Sequence, residues 1–253
     1  MASLIKTLAL ILKTRDIGEA DRVVVFLTPA AGQVTALAKH ARKSRRRYLN
    51  CLEPCSLVQV LYREKPQQEL AYLESGELVE AFPEVRQKLT SLAAAACLSE
   101  SALELVGATD NLEELFAALQ SALRLLAAGL PSRSLLCSHL VRVLALGGYG
   151  PRWQACQICG QTPAGLAWFS PQQGGILCPN CLNQNRGERL YLLHPGTRKL
   201  VLAALNLPLQ NLARLRFPAL AQTETLTLLR GFIRFILGKD LNTLAFLDKV
   251  DWS

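Results

Sequence analysis

The stretch Arg22-Val23-Val24-Val25-Phe26-Leu27-Thr28, followed by Pro29-Ala30-Ala31-Gly32 and then Gln33-Val34-Thr35-Ala36-Leu37-Ala38-Lys39, decides the fold. Its first run is rich in β-branched residues, which favour a pleated, half-buried surface. Pro29 and Gly32 punctuate it, and Gln33–Lys39 follows closely enough to close a hairpin. Working outward, Leu4–Lys13 is an apolar extended run ahead of the hairpin. Cys55–Arg63, with Val58 and Val60, and Glu69–Val79 follow it. Five strands at the head of the chain predict a small barrel of the OB type. The pattern alone also admits an SH3-like barrel.

At Phe82-Pro83 the texture changes, and Pro83 suits the first turn of a helix. Leu- and Ala-rich sequence with helical spacing then predicts helices over about 84–106, 111–128 and 132–146. Breaks fall at Gly107, at Gly129-Leu130-Pro131 and at Gly147-Gly148. Asp110, three before Glu113, has capping-box spacing, and Ser132 stands at the start of the third helix. The helical period is lost over 151–187 and returns at Thr197–Leu205 and about Glu224–Leu237. The architecture expected is α+β, with a barrel over 1–80 and a helical domain over 81–253 that contains a cysteine-bearing element over 151–187.

That element carries Cys156-Gln157-Ile158-Cys159-Gly160 and, after 18 intervening residues, Cys178-Pro179-Asn180-Cys181. A two-residue gap lets both thiolates of a pair reach one ion, and two such knuckles close a tetrahedron of about 2.3 Å bonds. Thiolates favour zinc over hard cations. Four cysteines fill the shell, so the expectation is one structural Zn2+ with no open position for chemistry. Two pairs of reduced thiols, or a redox pair, are the plainer alternative. His194 is not needed as a ligand, and His139 sits inside a helical stretch. The other cysteines, Cys51, Cys55, Cys97 and Cys137, stand among apolar residues and read as small buried hydrophobes. With no secretion signal at Met1–Lys6, a disulfide framework is not expected.

The net charge is +8, and it is uneven: Lys/Arg exceed Asp/Glu by 12 to 9 over 1–80 and by 11 to 5 over 151–253, whereas 81–150 has 5 to 6. Basic ends suggest an acidic partner. The densest cluster is Lys39-His40-Ala41-Arg42-Lys43-Ser44-Arg45-Arg46-Arg47-Tyr48, between the third and fourth strands. Six of those ten residues are basic, enough to neutralise several phosphates and release counterions. Lys39, Arg42, Lys43, Arg45, Arg46 and Arg47 are therefore candidate nucleic-acid contacts, and Lys13 and Arg15 extend the patch. Tyr48 offers a ring for a base to stack on. The bland reading is a solvated charge run, as for Arg230 and Arg234 on the last helix. There is no Gly-rich loop ending in Lys-Ser/Thr, no legible nucleophile-base pair and no acidic cluster for a two-metal nuclease, so no catalytic residue is assigned. No apolar run is long enough to span a membrane, and the protein is read as cytoplasmic.

Several short segments, in this order, resemble the RecO family of DNA repair proteins. They are Arg15-Asp16-Ile17-Gly18-Glu19-Ala20-Asp21-Arg22, Gly32 with Ala38–Lys43, Leu52-Glu53-Pro54, Leu146–Pro151 ahead of Cys156–Gly160, Phe169-Ser170-Pro171 with Gly174-Gly175, and Leu237–Leu241. The resemblance runs nearly end to end. It implies an N-terminal OB-fold, a helical domain and a zinc-ribbon-like element, with no enzymatic activity. It implies binding of single- and double-stranded DNA and annealing of complementary strands. It further implies action with RecR, and with RecF in many bacteria, to load RecA onto DNA coated by single-stranded-DNA-binding protein, whose acidic, apolar-ended tail docks on the helical domain. The implied location is the bacterial cytoplasm, at the nucleoid during repair. Two other readings stay open from the residues themselves: a zinc-containing RNA-binding or regulatory protein, and a protein-interaction scaffold. One departure is visible, because position 40 is His where the family's stretch has Gly. A backbone with φ > 0 there admits His at some cost.

Overall fold

The computed structural model describes residues 3–44, 46–64, 70–105, 110–184 and 187–252. Five strands close into a barrel: β1 (Ser3–Ile17), β2 (Asp21–Thr28), β3 (Gly32–Ala38), β4 (Leu57–Glu64) and β5 (Ala71–Glu80). Their order around it is β1-β2-β3-β5-β4, the OB-fold arrangement. β1 makes closure possible. Its first half pairs with β4, from Ser3 opposite Glu64 to Leu10 opposite Leu57. Its second half pairs with β2, from Leu10 opposite Leu27 to Ile17 opposite Asp21. The register shifts between Ile11 and Lys13, and such a bulge bends the strand between its two partners. A short parallel pairing of Ala36 with Ala71 and Leu37 with Tyr72 seals the barrel.

Alternation along each strand sorts the side chains. Ala9, Ile11, Val24, Phe26, Val60 and Tyr62 fill the barrel, and Phe26 meets Tyr62 edge to face at 5.6 Å. Leu10, Leu12, Leu27 and Leu57 point the other way, into a second core shared with the helices. The barrel and the helical layer are thereby packed together. The first strand was expected to end at Lys13. It continues to Ile17, and Lys13 and Arg15 lie within it opposite Val25 and Val23.

The helical layer begins with α1 (Pro83–Gln87) and α2 (Leu89–Leu105), then α3 (Leu112–Ala127) and α4 (Ser132–Leu144). The single helix expected over 84–106 is broken at Lys88, which is extended at φ −117° and ψ 123°. The capping box is not formed: Asn111, not Asp110, occupies the N-cap of α3, without a side-chain capping bond. Pro131 caps α4, and Ser132 instead lies with its hydroxyl 3.1 Å from that of Ser91. α4 is buried over most of its length, with Leu136, Leu140, Val143 and Leu144 fully inside. Cys51, Cys55, Cys97 and Cys137 are buried in the two cores, and burial pushes the Cys97 thiol up to about 12.

A wide turn at Ala145–Tyr149, with Gly148 at φ 90°, redirects the chain. It enters a three-stranded sheet of β6 (Ala167–Ser170), β7 (Gly175–Leu177) and β8 (Tyr191–Leu193), in the order β7-β6-β8. α5 (Pro195–Asn206), α6 (Ala219–Leu237) and α7 (Asn242–Leu247) complete the fold. α7 has no counterpart in the sequence reading. The stacked pair Trp153 and Phe169, at 5.1 Å, meets Phe232 of α6 through Phe169 at 5.5 Å, which anchors the small sheet to the helices. Among the described residues, no helix is long and apolar enough to cross a membrane.

Candidate metal centre and nucleic-acid interface

The two cysteine pairs are brought together by the β6–β7 hairpin. β7 runs directly into Cys178, and the segment before Cys156 is hooked along β7. Arg152 N–H donates to Gly174 O at 2.9 Å, Ile176 N–H to Arg152 O at 3.1 Å, and Gln157 N–H to Ile176 O at 2.9 Å. The first knuckle turns through Gly160 at φ 72°, whose N–H donates to Cys156 O at 2.9 Å. The four sulfurs of Cys156, Cys159, Cys178 and Cys181 all lie within 4.8 Å of one another, and those of Cys159 and Cys178 are 3.7 Å apart. Bonds of about 2.3 Å to a tetrahedral ion place ligand sulfurs about 3.8 Å apart, so the donor set fits a metal ion. Cys159 is exposed and the other three are buried. Burial would raise Cys156, but hydrogen bonds from the backbone of Cys159, Cys178 and Ile158 overcome it and lower the thiol. Cys181 is raised by burial and by the neighbouring sulfurs. A cation among the four relieves that crowding of charge. His194 lies outside the cluster: its Nδ1 pairs with Glu224 of α6, which also accepts from Thr197.

The basic segment wraps the end of the barrel and is pinned at several points. Thr14 donates to Leu52 O at 2.6 Å, Gly76 N–H to Arg47 O at 2.8 Å, and the Tyr48 hydroxyl to Leu73 O. At its start, Arg42 N–H donates to Ala20 O at 3.0 Å and His40 N–H to Asp21 Oδ1 at 2.7 Å. Lys39, Arg42, Lys43, Arg46 and Arg47 are all exposed on this pinned loop. Arg45 lies outside the described residues. Arg42 spends part of its charge on Asp16 at 3.4 Å, and Arg47 donates to Lys39 O at 2.8 Å. His40 sits at φ 56°, in the left-handed region that favours glycine.

Tyr48 corrects the sequence reading. Its ring is buried, with 4% exposure, and Arg47 lies against it at 5.1 Å. It is a bolt for the loop and is closed to a base. The aromatic ring that does stand beside the basic residues is Tyr72, half-buried, with the Lys39 ammonium 5.4 Å from its centre. Nothing in the local sequence of Tyr72 marked it, because the parallel β3–β5 pairing that brings it to Leu37 and Lys39 is non-local. Lys13 and Arg15 are exposed on the outer face that β1 shares with β2 and β3.

Arg230 and Arg234, read from sequence as a solvated face, line a cavity of about 400 Å³ with Arg133, Arg189, Leu226 and Leu244. The residues flanking α7 supply carboxylates there. Arg230 pairs with Asp248 at 2.6 Å, and Arg234 with Asp240 at 3.7 Å. Arg133 lies 5.8 Å from the Trp252 ring and Arg189 5.5 Å from that of Tyr191.

Comparison with known proteins covers both parts of this architecture. Residues 1–82 match the family described as Recombination protein O N terminal, and residues 86–245 the family described as Recombination protein O C terminal. The DNA repair protein RecO of Syntrophus aciditrophicus (strain SB) is 34% identical over 247 residues, covering 97% of this chain and 95% of the relative. That of Syntrophobacter fumaroxidans is 35% identical over 246 residues, covering 96% and 97%. With its barrel and its helical half each matched in order, and relatives aligned over nearly their whole length, the chain belongs to the RecO family.

Proposed function

We propose that the protein acts in DNA repair and homologous recombination as a mediator without catalytic residues. The observation that carries this is the pinned loop, which holds Lys39, Arg42, Lys43, Arg46 and Arg47 exposed on a rigid barrel. Fixed cations bind phosphates without losing much side-chain and loop freedom, and they select for backbone rather than sequence. Lys13, Arg15 and Tyr72 extend the surface across an OB face, the kind that takes single strands. The barrel over 1–80 binds single- and double-stranded DNA and lowers the repulsion between complementary strands, so that they anneal. The names of the relatives, each a DNA repair protein, support the same reading.

The domain over 81–253 meets the partners in this reading: RecR, with RecF and RecA downstream, and the tail of single-stranded-DNA-binding protein. The cavity between Arg133 and Arg189, floored by Leu226 and Leu244, suits an acidic tail that ends in an apolar residue. The four-cysteine centre takes one Zn2+ as a structural ion. Bound there, the ion cross-links the β6–β7 hairpin to the segment leaving α4, and supplies no reaction chemistry because its shell is full.

The test is annealing of complementary oligonucleotides, bare and coated by single-stranded-DNA-binding protein. Wild type accelerates both, and Lys39, Lys43 and Arg46 together changed to Ala slow both. A dependence on ribose 2′-hydroxyls would instead assign the protein to RNA, and an unchanged annealing rate would remove the loop from the mechanism.

A further inference from the structure

We propose that the barrel has two separate strand-binding faces, the second being a cleft beside Lys6 and Arg46 that takes a second single strand of nucleic acid. This rests on the nucleic-acid reading above and explains how two strands are held at once.

β1 reaches both sides of the barrel. Its outward-facing row begins with Lys6, passes through Leu8, Leu10 and Leu12, and after the bulge continues with Lys13 and Arg15. The leucines in the middle are covered: Leu10 and Leu12 lie in one core with Ala95, Leu98 and Leu119 of the helices, and Leu8 packs against it. The two cationic ends emerge on either side of that contact, roughly 23 Å apart along the strand at ~3.3 Å per residue. Lys13 and Arg15 belong to the β1–β2–β3 face. Lys6 belongs to the other side, opposite Leu61 of β4.

On that other side lies a cleft of about 650 Å³. Lys6, Gln59 and Leu61 form its floor, Ser75 and Leu78 one wall, and the Arg46–Asn50 stretch the other. Leu49 is 61% exposed and Leu78 36%, so the cleft offers apolar surface for contact with base faces beside its cations. Arg46 and Lys6 are exposed for phosphates, and Glu77 is the cleft's one carboxylate among the described lining residues. The wall is built before any ligand arrives. Gly76 holds Arg47 O, and a Cβ on Gly76 would stand 2.8 Å from the Cys51 sulfur, so the loop lies against the sheet with no room between.

The loop therefore straddles two faces. Its first half leans to the β2 side through the bond of Arg42 to Ala20, and its second half forms the cleft wall through Arg47, Tyr48 and Cys51. Cations between two bound backbones screen each from the other, and the strands lie within reach for pairing.

The experiment uses the full chain and two non-complementary oligothymidylate-type strands carrying a donor and an acceptor dye, with binding stoichiometry per chain from calorimetry. Wild type binds two strands per chain and gives energy transfer. Lys6→Glu with Leu49→Glu binds one, loses the transfer and anneals more slowly by about tenfold or more, while the affinity of the remaining site is nearly kept. Lys13→Glu with Arg15→Glu also leaves one. The milder Lys6→Gln with Leu49→Gln gives the same stoichiometry if the first variant folds poorly. One strand per chain in wild type, or loss of all binding in either double variant, overturns the second face. No binding of any strand by wild type overturns the nucleic-acid reading itself.

Discussion

The Tyr48 hydroxyl donates a hydrogen bond to the main-chain oxygen of Leu73, tying the basic loop to β5 across the mouth of the barrel. Both groups are buried, so the bond is made where water does not replace it. Tyr48→Phe leaves the ring packed, removes the donor and strands a buried acceptor, a change worth about 1–2 kcal/mol. Urea unfolding measures that loss. Hydrogen exchange at the amides of residues 46–52 rises in the variant, and strand affinity falls although no charge has changed.

His40 tests the loop's backbone. Its φ of 56° puts a Cβ residue in the left-handed region. His40→Gly relieves that strain, partly offset by the freer unfolded chain, and raises stability by up to about 1 kcal/mol. Its N–H bond to Asp21 is main-chain and survives. A midpoint in urea that rises, with unchanged strand affinity, is the expected result. A fall would show that the imidazole itself contributes.

His139 sets an acid limit on stability. It is fully buried in α4, its Nδ1–H donates to Leu135 O at 3.0 Å, and its Nε2 has no partner. Burial lowers its pKa to about 4 from 6.5, with the Arg142 charge adding to that. The folded state thus holds the neutral ring, and the unfolded chain takes the proton first. The contribution is fully present above pH 6.5 and is lost as pH falls toward 4. Between pH 7.5 and pH 5 the loss is about 2 kcal/mol. In paired unfolding curves with metal saturating, His139→Leu removes that portion of the pH dependence; identical pH dependence in the two proteins would contradict the assignment.

The four-cysteine cluster predicts a spectroscopic signature. Cobalt(II) added to the reduced, metal-free protein gives thiolate-to-metal charge transfer and the visible bands of a tetrahedral site. Cys159→Ser weakens both. Chelation destabilises the β6–β8 element, measured by proteolysis and near-UV circular dichroism, while strand binding by the barrel changes little because its contacts lie on another layer.

Particular residues show how far the sequence could be read. The β2–β3 hairpin and the cysteine spacing were legible because local alternation and local turns decide them. The length of β1 was not: Lys13 and Arg15 look like a strand's end, yet an outward position on a barrel strand admits charge. The break at Lys88 carries no Gly or Pro to announce it. Tyr48 among arginines suggested an exposed ring, and only the long-range contact with Leu73 shows why it is buried. Arg230 and Arg234 looked merely solvated because the carboxylates they meet, Asp240 and Asp248, flank α7, a helix too short to be seen as a period.

The claim that most needs testing is that the pinned loop holds nucleic-acid phosphates. Fluorescence anisotropy of a labelled single strand, over a salt series, measures it directly for wild type and for the variant with Lys39, Lys43 and Arg46 changed to Ala. The account predicts a steep fall of affinity with salt in wild type, and a log–log slope shallower by about 2 in the variant, from three lost phosphate contacts at ~0.7 each. Equal slopes and equal affinities in the two proteins would contradict it.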